Sequence, residues 1–127
     1  MAVIGLGTDL ARAERFRRFL AEGKMALIER LFTAGERHYC LAKSDPAPFL
    51  AARFAAKEAG MKAFGLGWRE GLGWHDFEVV RDPLGRPALL LGGRAAELAA
   101  ERGVSAVHIS YSHEGDYAIA TVILEGA

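Results

Sequence analysis

The chain has 127 residues, 51% of them apolar and 25% charged, with 16 basic and 16 acidic side chains in balance. That is enough for one domain with a single core. It excludes a transmembrane helix, since no apolar run approaches the length a bilayer needs, and zero net charge argues against a general nucleic-acid binder. Cys40 is the only cysteine, so neither an intrachain disulfide nor a thiolate metal cluster is available. The amino terminus lacks the basic-then-apolar pattern of a secretory signal, and the expected compartment is the cytoplasm.

In chain order, Val3 to Thr8 reads as a short strand with glycines at positions 5 and 7. Apolar residues at 10, 13, 16, 19 and 20 then predict a helix over Leu10 to Leu20. Met25 to Phe32 is a second short helix. Thr33 caps a third, Ala34 to Leu41, with Glu36 at the capping-box spacing. Pro48 starts the main helix, which runs to Phe64 and stops at Gly65. The stretch Gly65 to Trp74 repeats Gly-Leu-Gly-Trp and reads as a flexible loop. Phe77 to Arg81 and Ala88 to Leu91 are strands joined by a turn, and Gly93 to Arg102 is helical. Val107 to Ser112 and Tyr117 to Leu124 form a terminal hairpin. The last strand is apolar on both faces, so it must be central or covered by a neighbouring subunit. The class is α+β: a single domain, residues 1–127, with an antiparallel sheet packed against a long central helix.

Two carboxylates stand out. Asp9 closes a buried strand, and Glu58 sits inside an Ala-rich helix; both are costly to desolvate unless charge compensates them. With Lys57 and Lys62 nearby they suggest a site for a divalent metal and phosphate, because Mg²⁺ takes one or two carboxylates and completes its octahedron with phosphate and water. Glu58 and Lys62 also have the spacing of an ordinary surface ion pair, as do Arg53 and Lys57 as neighbours on one helix face. A helix this apolar has little solvent face for four charges, so some should line a cavity. Strand alternation puts His108, Ser110 and Ser112 on one face. Such a row can donate to phosphate oxygens, or it is simply the exposed face of a sheet. Residues 10–30 carry a local basic excess that includes Arg15, Arg18 and Lys24. It is either a solvated helix face or a docking surface for an acidic partner.

Gly7-Thr8-Asp9, the segment Arg53 to Gly65, Gly85-Arg86-Pro87 and His108 to His113, in that order, resemble the holo-acyl-carrier-protein synthases. These are the small, trimeric branch of the 4′-phosphopantetheinyl transferases. The resemblance implies Mg²⁺-dependent transfer of 4′-phosphopantetheine from coenzyme A to a serine of an apo acyl carrier protein. It implies Asp9 and Glu58 as metal ligands, and Glu58, Lys62 and His108 as catalytic groups. Arg53, Lys57, Lys62, Gly65, Gly85, Arg86, Pro87, His108 and Ser110 are implied to contact coenzyme A, with Lys62 favoured over Lys57 for phosphate. Arg15, Arg18 and Lys24 are expected to dock the carrier, and the active sites to lie between subunits of a homotrimer. Some relatives carry an aspartate after the first histidine; here it is Ile109, so a mechanism using that aspartate as base does not transfer. The base is open between Glu58, a metal-bound water and a histidine. Two other readings stay on the table: an Mg²⁺-dependent phosphohydrolase of nucleotides and a non-catalytic trimeric binding module.

Overall fold

A computed structural model describes residues 1–127. Strand β1 (Ala2–Arg12) leads into helices α1 (Ala13–Ala21), α2 (Met25–Leu31), α3 (Ala34–Leu41) and α4 (Ala47–Phe64). A single 3₁₀ turn (Trp74–Asp76) precedes the hairpin β2 (Phe77–Arg81) and β3 (Pro87–Leu91). Helix α5 (Gly93–Glu101) then leads to the closing hairpin β4 (Val104–Glu114) and β5 (Tyr117–Gly126). The α+β class holds. β1, β5 and β4 form one antiparallel sheet with β5 in the middle, and β2 and β3 form a separate antiparallel pair.

The central place of β5 explains its apolar sequence: Ala118, Ala120, Val122 and Leu124 are buried against α4. Helix α4 is enclosed along most of its surface, with 14 of its 18 residues buried and Lys62 left exposed. Alanine is its commonest residue, seven of 18, because neighbours approach it closely from two directions. On the sheet side, a Cβ on Gly5 would stand 2.0 Å from the Ala63 carbonyl oxygen, and one on Gly7 2.0 Å from that of Ala59. On the other side, a Cβ on Gly60 would meet the Phe77 ring at 2.9 Å. Glycine is therefore required at these contacts. Gly65 ends the helix in the left-handed conformation (φ 75°), as its sequence position predicts.

Thr33 and Glu36 form the expected capping box at the start of α3. The predicted helix forms as α1 but starts later: residues 10 to 12 continue β1, and α1 begins at Ala13. The reason is the long β5 partner, which pairs Leu10 with Ile119 and Arg12 with Tyr117. Asp116 then accepts from the Glu14 backbone N–H at 2.8 Å and from Arg12 Nε at 2.9 Å, fixing where the strand stops. No helix is long and apolar enough to cross a membrane.

Candidate active site

Because β1 lies on α4, it brings Asp9 to the helix face that carries Glu58 and Lys62. Lys62 Nζ donates to Asp9 Oδ1 at 2.7 Å and to the Thr8 carbonyl oxygen at 3.3 Å. The i,i+4 pairing of Glu58 with Lys62 is not what forms; Lys62 reaches across to the strand instead. Glu58 receives one side-chain hydrogen bond, from Trp68 Nε1 to its Oε1 at 3.4 Å. Burial pushes the Glu58 carboxyl above the usual carboxylate range; the indole hydrogen bond works against that shift, while the Asp9 charge adds to it. Thr8, Asp9, Leu10, Lys62 and Ile119 line a depression of about 310 Å³ at this point. No third acidic side chain, histidine or cysteine joins the two carboxylates. Two hard oxygen donors with a lysine beside them fit a cation that takes its remaining ligands from phosphate and water.

A second cluster forms elsewhere. Asp82 accepts from the backbone N–H groups of Leu84 and Arg86 and from Arg86 Nε, each at 2.9 Å, which shapes the turn around Gly85 (φ 85°). Arg86 and Pro87 then face His108 and Ser110 across a groove of about 370 Å³. His108 Nε2 lies 3.2 Å from Glu125 Oε1. The register shows that the two clusters are apart in one chain. Asp9 pairs with Ala120, which faces α4, whereas His108 pairs with Ile123 and Ser110 with Thr121, on the opposite face of the sheet. The strands that carry them, β1 and β4, are opposite edges with β5 between.

The arrangement matches a known family. The family model described as the 4′-phosphopantetheinyl transferase superfamily covers residues 5–122. The chain belongs to that superfamily. It is 59% identical over 122 residues to a protein of Syntrophotalea carbinolica named holo-[acyl-carrier-protein] synthase, covering 96% of this chain and 95% of the relative. A holo-[acyl-carrier-protein] synthase structure from Neisseria meningitidis superposes with a TM-score of 0.88 at 33% identity, covering 98% and 99% of the two chains. One from Helicobacter pylori, in complex with coenzyme A, gives 0.82 at 27% identity, covering 94% and 99%.

Against this transferase fold, two expected coenzyme A contacts fall inside the core. Lys57 is fully buried and forms an ion pair with Glu36, itself 1% exposed. Glu36 also accepts from the backbone N–H groups of Thr33 and Val79, both at 2.8 Å. Burial lowers the Lys57 pKa and the Glu36 charge raises it again. Lys57 thus ties α4 to α3 and β2, with its ammonium directed at Glu36 inside the core and not at the surface. Arg53 is 2% exposed, with its guanidinium 4.3 Å from the Tyr39 ring centroid and its Nε without a partner, so it too is enclosed within the single chain. The loop after Gly65 is packed. Trp68 and Trp74, the ends of the Gly-Leu-Gly-Trp repeat, lie with ring centroids 3.9 Å apart, and Trp74 stacks on Phe54 at 5.1 Å. The repeat marked these tryptophans, but only folding shows that one of them holds Glu58.

On α1, Arg17 is paired with Glu14 and Asp45, and Arg12 at the end of β1 with Asp116. Arg15 and Arg18 have no carboxylate partner, and together with Leu10 and Phe19 they line a groove of about 330 Å³. Lys24 pairs with Glu22 at 3.3 Å.

Proposed function

We propose that this chain transfers the 4′-phosphopantetheine group of coenzyme A to a serine of an apo acyl carrier protein, releasing adenosine 3′,5′-bisphosphate. The observation that carries this reading is the meeting of Asp9, Glu58 and Lys62 where β1 crosses α4, in a chain so similar to holo-[acyl-carrier-protein] synthases. In the reaction the serine hydroxyl gives its proton to a base, open between Glu58, a water and a histidine; its oxygen bonds the β-phosphorus, and the bridging oxygen leaves with the bond electrons on adenosine 3′,5′-bisphosphate. Positioning and charge neutralisation do most of such catalysis. Asp9 and Glu58 would hold Mg²⁺, which when bound would supply positive charge to the reacting phosphates. Lys62, paired with Asp9 in the free protein, would exchange that carboxylate for a phosphate oxygen. Arg86, His108 and Ser110 present donors to the nucleotide end of coenzyme A, with Gly85 and Pro87 shaping their turn and Gly65 leaving the end of α4 without a side chain. Intact-mass spectrometry of an apo carrier incubated with the protein, coenzyme A and Mg²⁺ tests the reading. A gain of one phosphopantetheinyl group supports it, and no gain with any of several carriers removes it.

The separation of the two clusters supports a site completed between subunits. So does the outer face of the sheet, where Leu6 (62%), Leu10 (58%) and Ile119 (46%) remain exposed beside the His108 row. A homotrimer would cover that face and bring the β1 half of one copy to the β4 half of the next. Co-expressing Asp9→Asn chains with chains carrying Arg86→Ala and His108→Ala should then restore about a quarter of wild-type activity, the share of sites with both halves intact in randomly mixed rings. Mixtures as inactive as either parent would place both halves in one chain.

Arg15 and Arg18, with Lys24 at the edge, form the proposed docking surface for an acidic carrier helix. Arg18 isolates docking best, because the Arg15 charge is also felt by Glu58. Arg18→Glu should raise the KM for the carrier about tenfold while leaving that for coenzyme A within about twofold. Equal changes in both would remove Arg18 from the docking surface. The cytoplasm is the proposed compartment, where both substrates would be met.

A further inference from the structure

Trp68 is held more firmly than a loop residue needs to be. Gly65 and Gly67, at φ 75° and 65°, turn the chain after α4 so that the indole returns over the helix beside Glu58, ten residues earlier. Its ring is clamped by Trp74 at 3.9 Å and by Phe77, edge-on, at 5.8 Å and 82°. Held in this way, the ring directs Nε1 at Glu58 Oε1, 3.4 Å away. Nothing in the protein bonds to Oε2, because Lys62, the neighbour that would otherwise reach it, is engaged by Asp9 and Thr8.

We propose that Trp68 is a positioning residue that sets which divalent cation the Asp9–Glu58 pair prefers, by reserving Glu58 Oε1 for its indole N–H and leaving Oε2 for the metal. The inference rests on the reading of Asp9 and Glu58 as metal ligands. Its chemistry follows from the cations. Mg²⁺ is small, demands near-ideal octahedral geometry and takes one oxygen per carboxylate readily, whereas Ca²⁺ is larger and gains from bidentate carboxylates. An indole N–H on one oxygen costs Mg²⁺ little and deprives Ca²⁺ of its second contact. Indole is a donor only, so it cannot itself become a ligand.

The test is a binding competition: Mn²⁺ bound to the coenzyme A-saturated protein without carrier, followed by electron paramagnetic resonance, is displaced by Mg²⁺ or by Ca²⁺. Trp68→Phe keeps a ring in the clamp and deletes the donor. It should shift the Mg²⁺-to-Ca²⁺ affinity ratio about tenfold toward Ca²⁺, just under the range for a hydrogen bond to a charged group, as the 3.4 Å length implies. Trp74→Phe disturbs the same stack without touching Glu58 and should leave the ratio unchanged. A ratio unmoved by Trp68→Phe, or moved as far by Trp74→Phe, overturns the role of the N–H. A wild-type crystal soaked in Mn²⁺ gives a reading that needs no variant: Glu58 ligating through one oxygen upholds the inference, and bidentate ligation overturns it. Mn²⁺ binding unaltered in Asp9→Asn would instead overturn the metal site, and this inference with it.

Discussion

Asp9→Asn and Glu58→Gln should each lower transfer by on the order of 10²- to 10³-fold, the scale set by removing one preorganised group from a developing charge. Both replacements keep shape and remove charge. Asp9→Asn also releases Lys62, whose ammonium sits 2.7 Å from the carboxylate, so a folded but inactive protein is the expected result. The fold should tolerate Glu58→Gln well, because burial already disfavours the Glu58 anion and a neutral amide there relieves that cost. The mass gain of an apo carrier measures the loss, and excess EDTA should reproduce it in the wild type. A variant that keeps more than about a tenth of the wild-type rate would remove that carboxylate from the chemistry.

Lys57→Met should destabilise the protein by about 3–5 kcal/mol, the cost of leaving a buried charge without its partner. Glu36 would keep its two backbone donors but lose the only cation in contact with it. That is a large share of the 5–15 kcal/mol typical of a native protein, and a fall in Tm on the order of 10–20 °C is expected. Adding Glu36→Gln should recover part of the loss, since the amide oxygen still accepts from one backbone N–H and no unpaired charge remains. Thermal unfolding of the single and double variants distinguishes this from a ligand role. A Lys57→Met protein as stable as wild type but weaker for coenzyme A would return Lys57 to the phosphates.

The elements with local signals were legible. Thr33 with Glu36 announced α3, Gly65 the end of α4, and the two-sided apolar pattern the central β5, because caps, left-handed stops and buried strands are dictated by neighbours in sequence. The start of α1 was not, since Leu10 fits a helical period as well as a strand and the deciding partner, Ile119, is far along the chain. The four charges of α4 illustrate the same limit. Their apolar setting implied that some face inward, but which ones depended on partners from other elements. Glu36 draws Lys57 into the core and Asp9 holds Lys62 at the rim. The resemblance put Asp9, Glu58 and Lys62 at one site, whereas the Trp68 bond to Glu58 depends on how a glycine-rich loop folds back.

Helix α4 shows solvent little more than Lys62 at the rim of the site, and its neighbours on both sides rest on its backbone where glycines let them in. Such an element cannot open locally while the rest stays folded, so its amide protons should exchange with solvent only through global unfolding. Glu58 and Lys62 ride on the segment that is last to loosen. Heat or denaturant should therefore disperse the carboxylate pair only as the chain itself unfolds, with no partly opened state in which the pair has come apart and the sheet survives.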